Sequence, residues 1–247
     1  MDILNTGLAA MNLARKWEVF WSRFGGEDGA WRRVLEEGLT NTLIIALMGL
    51  LIGIVLGTLI ATVKVMPKYK LLPRILDKIC AVYVGFFRGT PIVVQLLLAY
   101  YVLFPILGVR IGSLNTCILV FGLNSAAYCS EIMRGGILSV DAGQMEAGRA
   151  VGLSYATTMI KIVVPQAIKN ILPTLGNELI ALVKDTSVVS FVAATDLYKT
   201  FNEIGNKNYD YMIPYLVMAF IYIVLVSLIS LGIKLMERSL RKSDRRN

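Results

Sequence analysis

The chain contains no histidine, which removes the commonest general base and metal ligand of proteins. Its three cysteines, Cys80, Cys117 and Cys129, have no CxxC spacing and lie in or beside apolar segments. We interpret them as small buried side chains rather than disulfides or metal ligands. A Gly-x4-Gly-Lys-Ser/Thr loop and a Gly-x-Ser-x-Gly turn are also absent. The sequence therefore predicts no P-loop ATP binding, no metal site and no histidine-dependent catalysis in this chain.

Charge is scarce as well. Only 17% of the 247 residues are charged and 56% are hydrophobic, whereas about a quarter of the residues of a soluble domain are charged. Several apolar stretches reach the roughly 20 residues that a helix needs to cross the hydrocarbon core of a bilayer. We therefore predict an all-α, polytopic membrane protein.

Five membrane spans are predicted, at about residues 39–63, 79–106, 111–134, 168–195 and 211–233. The fourth has the weakest hydropathy because it carries charged side chains. The chain then divides into an amphipathic N-terminal segment at 1–37, a membrane domain at 38–237 and a basic tail at 238–247.

The basic residues are concentrated on one side of these spans. Residues 64–78 contain five basic residues and one acidic residue, residues 132–169 contain four and two, and residues 234–247 contain six and two. The opposite segments are nearly neutral. Because cytoplasmic loops carry the excess of Lys and Arg, we predict an external N-terminus and a cytoplasmic C-terminus. The positive charge is then assigned to topology and to the lipid bilayer, and nucleic-acid binding is not expected.

All three tryptophans, Trp17, Trp21 and Trp31, lie in the N-terminal segment. Tryptophan next to a span is typical of the membrane interface, so an anchor on the outer membrane surface is favoured over a docking helix for an external partner. The segment has no uncharged stretch with a cleavage site, so a cleaved signal peptide is not expected.

The predicted cytoplasmic loop at about 141–165 carries a spaced motif. It reads Glu146-Ala147-Gly148, then Gly152 after three residues, Ile162 after nine more, and Pro165 after two. This resembles the EAA loop of ABC-importer permeases, with Gly148 in place of the usual Ala. The resemblance implies that Glu146, Ala147, Gly148, Gly152 and Pro165 couple the chain to a separate ATPase. We expect a short helix over Met145–Val151 whose small residues a cleft on that ATPase grips.

The second span contains a further motif, Phe-Arg-Gly-Thr-Pro followed by Gln95, which is similar to permeases for the uptake of polar amino acids. Gly89 and Pro91 interrupt regular helix pairing there. Arg88 is expected to reach the cytoplasmic headgroups, although a gating role for the loosened helix stays open. The gating or structural residues assigned here are Arg88, Gly89, Thr90 and Pro91.

The third and fourth spans place polar groups in the membrane, where they must face protein or water. Glu131 and Arg134 are neighbours on one helix face, and a structural ion pair is favoured for them. An Asn-Glu pair and a Lys-Asp-Thr-Ser run of the fourth span resemble the same family. The predicted substrate path comprises Gln95, Asn124, Glu131, Asn177 and Glu178. For the polar residues of the fourth span, a hydrogen-bond network between helices stays open as the alternative to substrate contact. A second set is assigned to gating or structure, namely Lys184, Asp185, Thr186 and Ser187.

The resemblance implies a type I ABC-importer permease in the bacterial cytoplasmic membrane. Its expected partners are ATPase subunits that use ATP and Mg, a second permease subunit, an extracytoplasmic solute-binding protein and a polar amino acid. The chain itself is expected to bind no cofactor. Pairing with an identical or a distinct permease stays open, and so does the choice of amino acid. Another small polar solute such as an opine or cystine is the main alternative, and an ion channel or secondary transporter leaves the loop motif unexplained.

Overall fold

The computed structural model describes residues 2–26 and 29–244, with side chains for 12–26 and 29–240, and these residues form helices and no strand. In chain order the helices are α1 (Asp2–Phe24), α2 (Ala30–Val65), α3 (Leu71–Gly89), α4 (Ile92–Ile106), α5 (Ser113–Leu138), α6 (Ala142–Ala150), α7 (Tyr155–Thr158), α8 (Val164–Asp185), α9 (Leu197–Asn208) and α10 (Met212–Asp244). A π turn at Met159–Val163 joins α7 to α8, and a 3-10 turn at Thr186–Val192 follows α8.

Within the described ranges, α2, α5 and α10 are each long and apolar enough to cross a membrane. The second predicted span, 79–106, differs from the structure, where α3 begins at Leu71 and meets α4 at a bend of 105°. Thr90 and Pro91 are extended at the bend, because proline lacks an N–H and disfavours helical geometry in the residue before it. The fourth predicted span corresponds to α8 and the 3-10 turn, and α8 is not among the described helices that are apolar enough to cross a membrane. The count of five spans therefore stays a prediction.

A row of small residues on α2 packs against α5. Gly49, Gly53 and Gly57 lie so close to α5 that an added Cβ would come within 3.1 Å, 2.6 Å and 2.7 Å of its atoms. Small residues permit such an approach of two helix backbones in a membrane. The spacing of four residues puts this row on one face of α2, and the structure shows that this face makes a contact within the chain.

The N-terminal helix α1 packs on the helix pair α9–α10, at the end of the bundle that the charge pattern predicts to be external. Phe20 is fully buried, and Phe24 stacks on Phe201 with ring centroids 6.4 Å apart. Trp17 and Trp21 on the same helix stay exposed. One part of the apolar side of α1 therefore packs against the protein. The other part is an exposed aromatic surface of the kind found at membrane interfaces.

The segment between the 3-10 turn and α9 is fixed to α2 at Asn41 and Thr42. The side chain of Asn41 donates to the carbonyl of Thr195, and the Thr42 hydroxyl accepts from the N–H of Leu197. Asp196 is buried and caps α9 by accepting from two backbone N–H groups. These bonds fix the start of α9 relative to α2.

We predict that Gly53→Ala destabilises the fold by about 1–3 kcal/mol, because the new methyl group would overlap Ser125 in a packed interface. Thermal unfolding of the purified protein in detergent measures the effect. Gly232→Ala on α10 is the matched control, since its Cβ would meet no atom within 4 Å in the described structure. Equal unfolding temperatures for the two variants would contradict the packing argument.

Candidate functional site

The break between α3 and α4 is stabilised by two side-chain amides. The Nε2 group of Gln95 donates to the carbonyls of Phe87 and Thr90 at 2.9 Å and 3.0 Å and to the Thr90 hydroxyl at 2.9 Å. The Nδ2 group of Asn124 donates to the Gln95 Oε1 at 2.9 Å and to the Phe87 carbonyl at 3.3 Å. Both amides are more than 90% buried. The two amides donate to carbonyls that have lost their helical partners at the break. In a membrane, where no water can bond to them, such carbonyls need a donor from the protein.

Glu178 lies on the other side of α5. The hydroxyl of the buried Ser125 donates to the Glu178 Oε1 at 3.0 Å, which joins α8 to α5 in the middle of the bundle. Ser125 is the neighbour of Asn124, so consecutive residues of α5 contact the broken helix and the carboxylate. Sequence reasoning missed Ser125, although its position next to Asn124 in an apolar helix is a usable signal.

The remaining polar residues of the fourth predicted span separate into exposed and buried groups. Asn177, Lys184 and Asp185 are exposed on the surface of the chain. In the part of the chain that the structure describes, neither Lys184 nor Asp185 forms a salt bridge. Thr186 is buried and donates to the carbonyl of Val183, and Ser187 is half-buried. Two charged side chains on the exposed side of a membrane helix must be in contact with water or with a second protein subunit.

Glu131 is held in an ion-pair cluster at the predicted cytoplasmic end of the bundle. Its two carboxylate oxygens contact the Lys64 ammonium group and the Arg134 guanidinium group, the latter at 2.9 Å. Lys64 ends α2, so the cluster joins α2 to α5. The arrangement is the ion pair that the sequence favoured, and it leaves Glu131 with both oxygens engaged. Nearby, the Arg88 guanidinium group lies 5.4 Å from the centre of the Tyr128 ring, a cation–π contact between α3 and α5.

The loop with the spaced motif folds into the expected short helix. The expected range was Met145–Val151, and α6 runs from Ala142 to Ala150. Asp141 caps it by accepting from the N–H of Gly143 at 2.7 Å. Gly152 ends the following turn with a φ of 88°, a conformation that side chains with a Cβ rarely adopt. Pro165 lies in the first turn of α8, directly after the π turn, and because proline has no N–H it interrupts the regular hydrogen-bond ladder where α7 continues into α8.

The sequence predicts that Gly148 belongs to the surface that contacts the ATPase, but the structure places Gly148 on another side of α6. Glu146, Ala147 and Ala150 are exposed, but Gly148 is buried against α7. A Cβ at this position would lie 2.4 Å from the Cγ2 of Thr158 and 2.9 Å from its Oγ1. Thr158 is itself fully buried and donates to the carbonyl of Ser154. The close contact with Thr158 accounts for glycine where the motif usually has alanine.

Further hydrogen bonds brace this loop against the bundle. The Tyr155 hydroxyl donates to the carbonyl of Val65 at the end of α2, with a distance of 3.3 Å. Burial raises the pKa of Tyr155, so its hydroxyl stays a donor at neutral pH. Asn170 on α8 donates to the Ser139 hydroxyl at 2.9 Å. These two bonds connect the loop region to α2 and α8. Sequence reasoning did not find Tyr155, because tyrosine in a polar loop carries no distinctive signal.

Comparison with known proteins assigns the chain to a family. Residues 53–242 match the family described as binding-protein-dependent transport system inner membrane component. The chain belongs to this family. It is therefore an inner membrane component of a transport system, and the resemblance found in its motifs is confirmed. Among the described residues, no group of three His, Cys, Asp or Glu side chains has an arrangement that could hold a metal ion.

Two relatives from Bacillus subtilis are each 40% identical to the chain. They are the arginine transport system permease protein ArtQ, over 66% of this chain and 74% of that protein, and the L-cystine transport system permease protein TcyB, over 65% and 68%. A crystal structure of an amino acid ABC transporter with histidines matches with a TM-score of 0.77 at 35% identity, covering 85% of this chain and 95% of that one. An inward-facing MetNI methionine ABC transporter matches with a TM-score of 0.72 at 22% identity, over 87% and 99% of the two chains, which shows the fold alone. The predicted all-α permease architecture is confirmed.

We predict that Gly148→Ala loosens α6, because the gain in helix propensity of about 1 kcal/mol is smaller than the cost of overlap with the buried Thr158. Amide hydrogen exchange in Ala142–Ala150 should become faster. Thr158→Ala removes the two overlapping atoms, so Gly148→Ala in that background should leave exchange unchanged or slow it. Faster exchange in both backgrounds would show that Thr158 is not the reason for the glycine.

Proposed function

We propose that the chain is the membrane-spanning subunit of an ATP-driven importer for a polar amino acid. The observation that carries this proposal is α6, a capped helix that exposes Glu146, Ala147 and Ala150 in a chain of the transport family. The named relatives act on arginine and cystine, and the similar crystal structure is of an amino acid ABC transporter. These solutes share an α-amino acid group and a polar side chain. This common chemistry supports a polar amino acid as the substrate.

The proposed partners follow from the same family. ATPase subunits bind ATP with Mg and receive α6, a second permease subunit completes the path, and an extracytoplasmic solute-binding protein delivers the amino acid. The exposed Lys184 and Asp185 support a second subunit or a water-filled path at α8. The chain supplies the gate and the conduit in this arrangement, while the chemistry of ATP hydrolysis takes place on the partner.

Movement of α6 reaches the spans through contacts within the chain. The buried pair Gly148–Thr158 makes α6 and α7 move together, and the Tyr155 hydroxyl ties α7 to the end of α2. The π turn at Met159–Val163 continues α7 into α8, which carries Glu178. A displacement of α6 by the ATPase is therefore expected to shift α2 and α8 relative to the broken helix pair α3–α4. This relative shift is the proposed switch between outward-facing and inward-facing states.

Glu178 is the proposed contact for the α-amino group. Its Oε1 already accepts from Ser125, and a carboxylate has further acceptor positions for an ammonium group. Asn177 is exposed beside it and adds an amide. Gln95 and Asn124 also belong to the proposed path, where their hydrogen bonds fix the break that shapes it. Cystine stays the second candidate substrate, because the relative TcyB is as similar to this chain as ArtQ is.

We predict that Glu178→Gln raises the KM for uptake of a cationic amino acid about tenfold or more, because a charge-assisted hydrogen bond contributes roughly 1.5–3 kcal/mol. Uptake by the reconstituted complex in liposomes measures this, with several amino acids tested separately. Glu36→Gln on the exposed outer part of α2 makes the same chemical change away from the path and should leave KM unchanged. An unchanged KM for every amino acid in Glu178→Gln would refute the contact.

The coupling role of α6 has its own prediction. Glu146→Arg, alone or with Gly152→Asp, is expected to abolish co-purification of the ATPase from native membranes in mild detergent, while wild type retains it. The charge reversal places a cation in the first half of a helix whose N-terminal end is already positive. Glu36→Arg reverses an exposed glutamate elsewhere and should retain the ATPase. Loss of the ATPase from both variants, or from neither, would contradict coupling through α6.

A further inference from the structure

An apolar cavity of about 540 Å³ opens between the ends of α2 and α5 and the turn that begins α8. Its walls include Val65 at the end of α2, Met66 and Pro67 directly after it, Ile137 of α5, and Met159 and Ile160 of the π turn. The size lies within the roughly 300–1,000 Å³ that is typical of small-molecule sites. Val65 and Ile137 are near the C-terminal ends of two spanning helices. The cavity is therefore at the level of one membrane surface, which the charge pattern predicts to be cytoplasmic.

The cavity offers hydrocarbon contact rather than hydrogen bonds. Two of its lining residues carry hydroxyl groups, and both hydroxyls already donate within the protein. Thr62 donates to the carbonyl of Thr58 at 2.7 Å, and Tyr155 donates to the carbonyl of Val65 at 3.3 Å. A polar solute would lose its hydration here without replacement. An apolar chain would bury its surface without such a loss.

Three basic residues are next to residues of the cavity wall in the sequence. They are Lys64, Lys68 and Lys161. Lys64 and Lys68 are paired with Glu131 and Asp77. Lys161 is exposed, and within the described residues it forms no salt bridge. A ligand with an apolar chain and an anionic head group would match the apolar lining and the adjacent lysines.

We propose that the cavity binds one acyl chain of an anionic phospholipid from the cytoplasmic leaflet, with the phosphate of that lipid near Lys161. Basic pockets between spanning helices on the cytoplasmic side are suited to anionic headgroups. A second copy of this chain fits less well, because it would bring the same excess of Lys and Arg to the same depth. The lipid would contact the end of α2, the π turn and α7 together, and these elements connect α6 to the spans.

The test uses the complete transport complex, stripped of lipid and titrated with phosphatidylglycerol or with phosphatidylcholine of the same acyl chains. Native mass spectrometry counts the bound lipid. Preferential binding of phosphatidylglycerol is expected. Lys161→Gln should weaken it about fivefold, the factor that one basic side chain contributes near an anionic surface, and should leave phosphatidylcholine unaffected. Ala156→Trp fills the cavity and should reduce binding of both lipids.

Two matched controls lie on α10. Lys234→Gln removes an exposed charge at the same predicted membrane surface, and Leu228→Trp enlarges an exposed apolar residue, so neither should change the preference. Equal binding of the two lipids by wild type, or a Lys161→Gln variant that binds phosphatidylglycerol like wild type, would overturn the proposal. The surface variant Lys161→Gln keeps the test valid if Ala156→Trp does not fold.

Phosphatidylglycerol with a photoreactive group in its acyl chain gives the location directly. Labels on Met66, Tyr155 or Met159 would support the site. Labels spread evenly along the exposed side of α10 would refute it, and so would cross-links from the cavity to a second permease subunit.

Discussion

The close contact between the glycine row of α2 and α5 is the constraint on which the rest of the molecule depends. Gly49, Gly53 and Gly57 allow the two helices to approach until backbone lies against backbone. Lipid provides no hydrophobic force between helices, so their association relies on such close packing and on interhelical hydrogen bonds. Once α5 is placed in this way, its consecutive residues Asn124 and Ser125 form hydrogen bonds to the broken helix and to Glu178, respectively. The ion pair of Lys64 with Glu131 closes the same contact at the predicted inner end.

The break between α3 and α4 shows how a membrane protein accommodates irregular backbone. Thr90 and Pro91 are extended, so the carbonyls of the preceding turn lose their helical partners. In water this would cost little, but in hydrocarbon each unsatisfied group costs several kcal/mol. The buried amides of Gln95 and Asn124 provide the missing donors. The sharp bend is therefore a stable element that gives a membrane-embedded loop a defined shape next to the proposed path.

Much of this architecture could be predicted from the sequence, because the relevant signals are local. Apolar length, the four-residue spacing of glycines and the Gly-Thr-Pro break each act over a few residues, and the Glu146–Pro165 motif has a fixed spacing. What could not be predicted are contacts between distant residues. Nothing near Gly148 indicates that Thr158 occupies the space of its missing methyl group, and nothing near Gln95 indicates that its amide bonds to Phe87 rather than to a solute. The predicted spans also miss the bend of 105°, since hydropathy measures transfer energy and not direction.

Glycine therefore has two opposite mechanical roles in this chain. In α2 it removes side chains so that two helices pack as one body, and in α6 Gly148 does the same between a short surface helix and α7. At Gly152 the φ of 88° instead permits a reversal of direction between those two short helices. A surface helix that is tightly packed on one side and sharply turned at its end moves as a unit rather than bending. Because Tyr155 ties this unit to α2 and the π turn continues it into α8, the proposed coupling route from Glu146 to the glycine contact and to Glu178 runs through a short, contiguous set of packed elements.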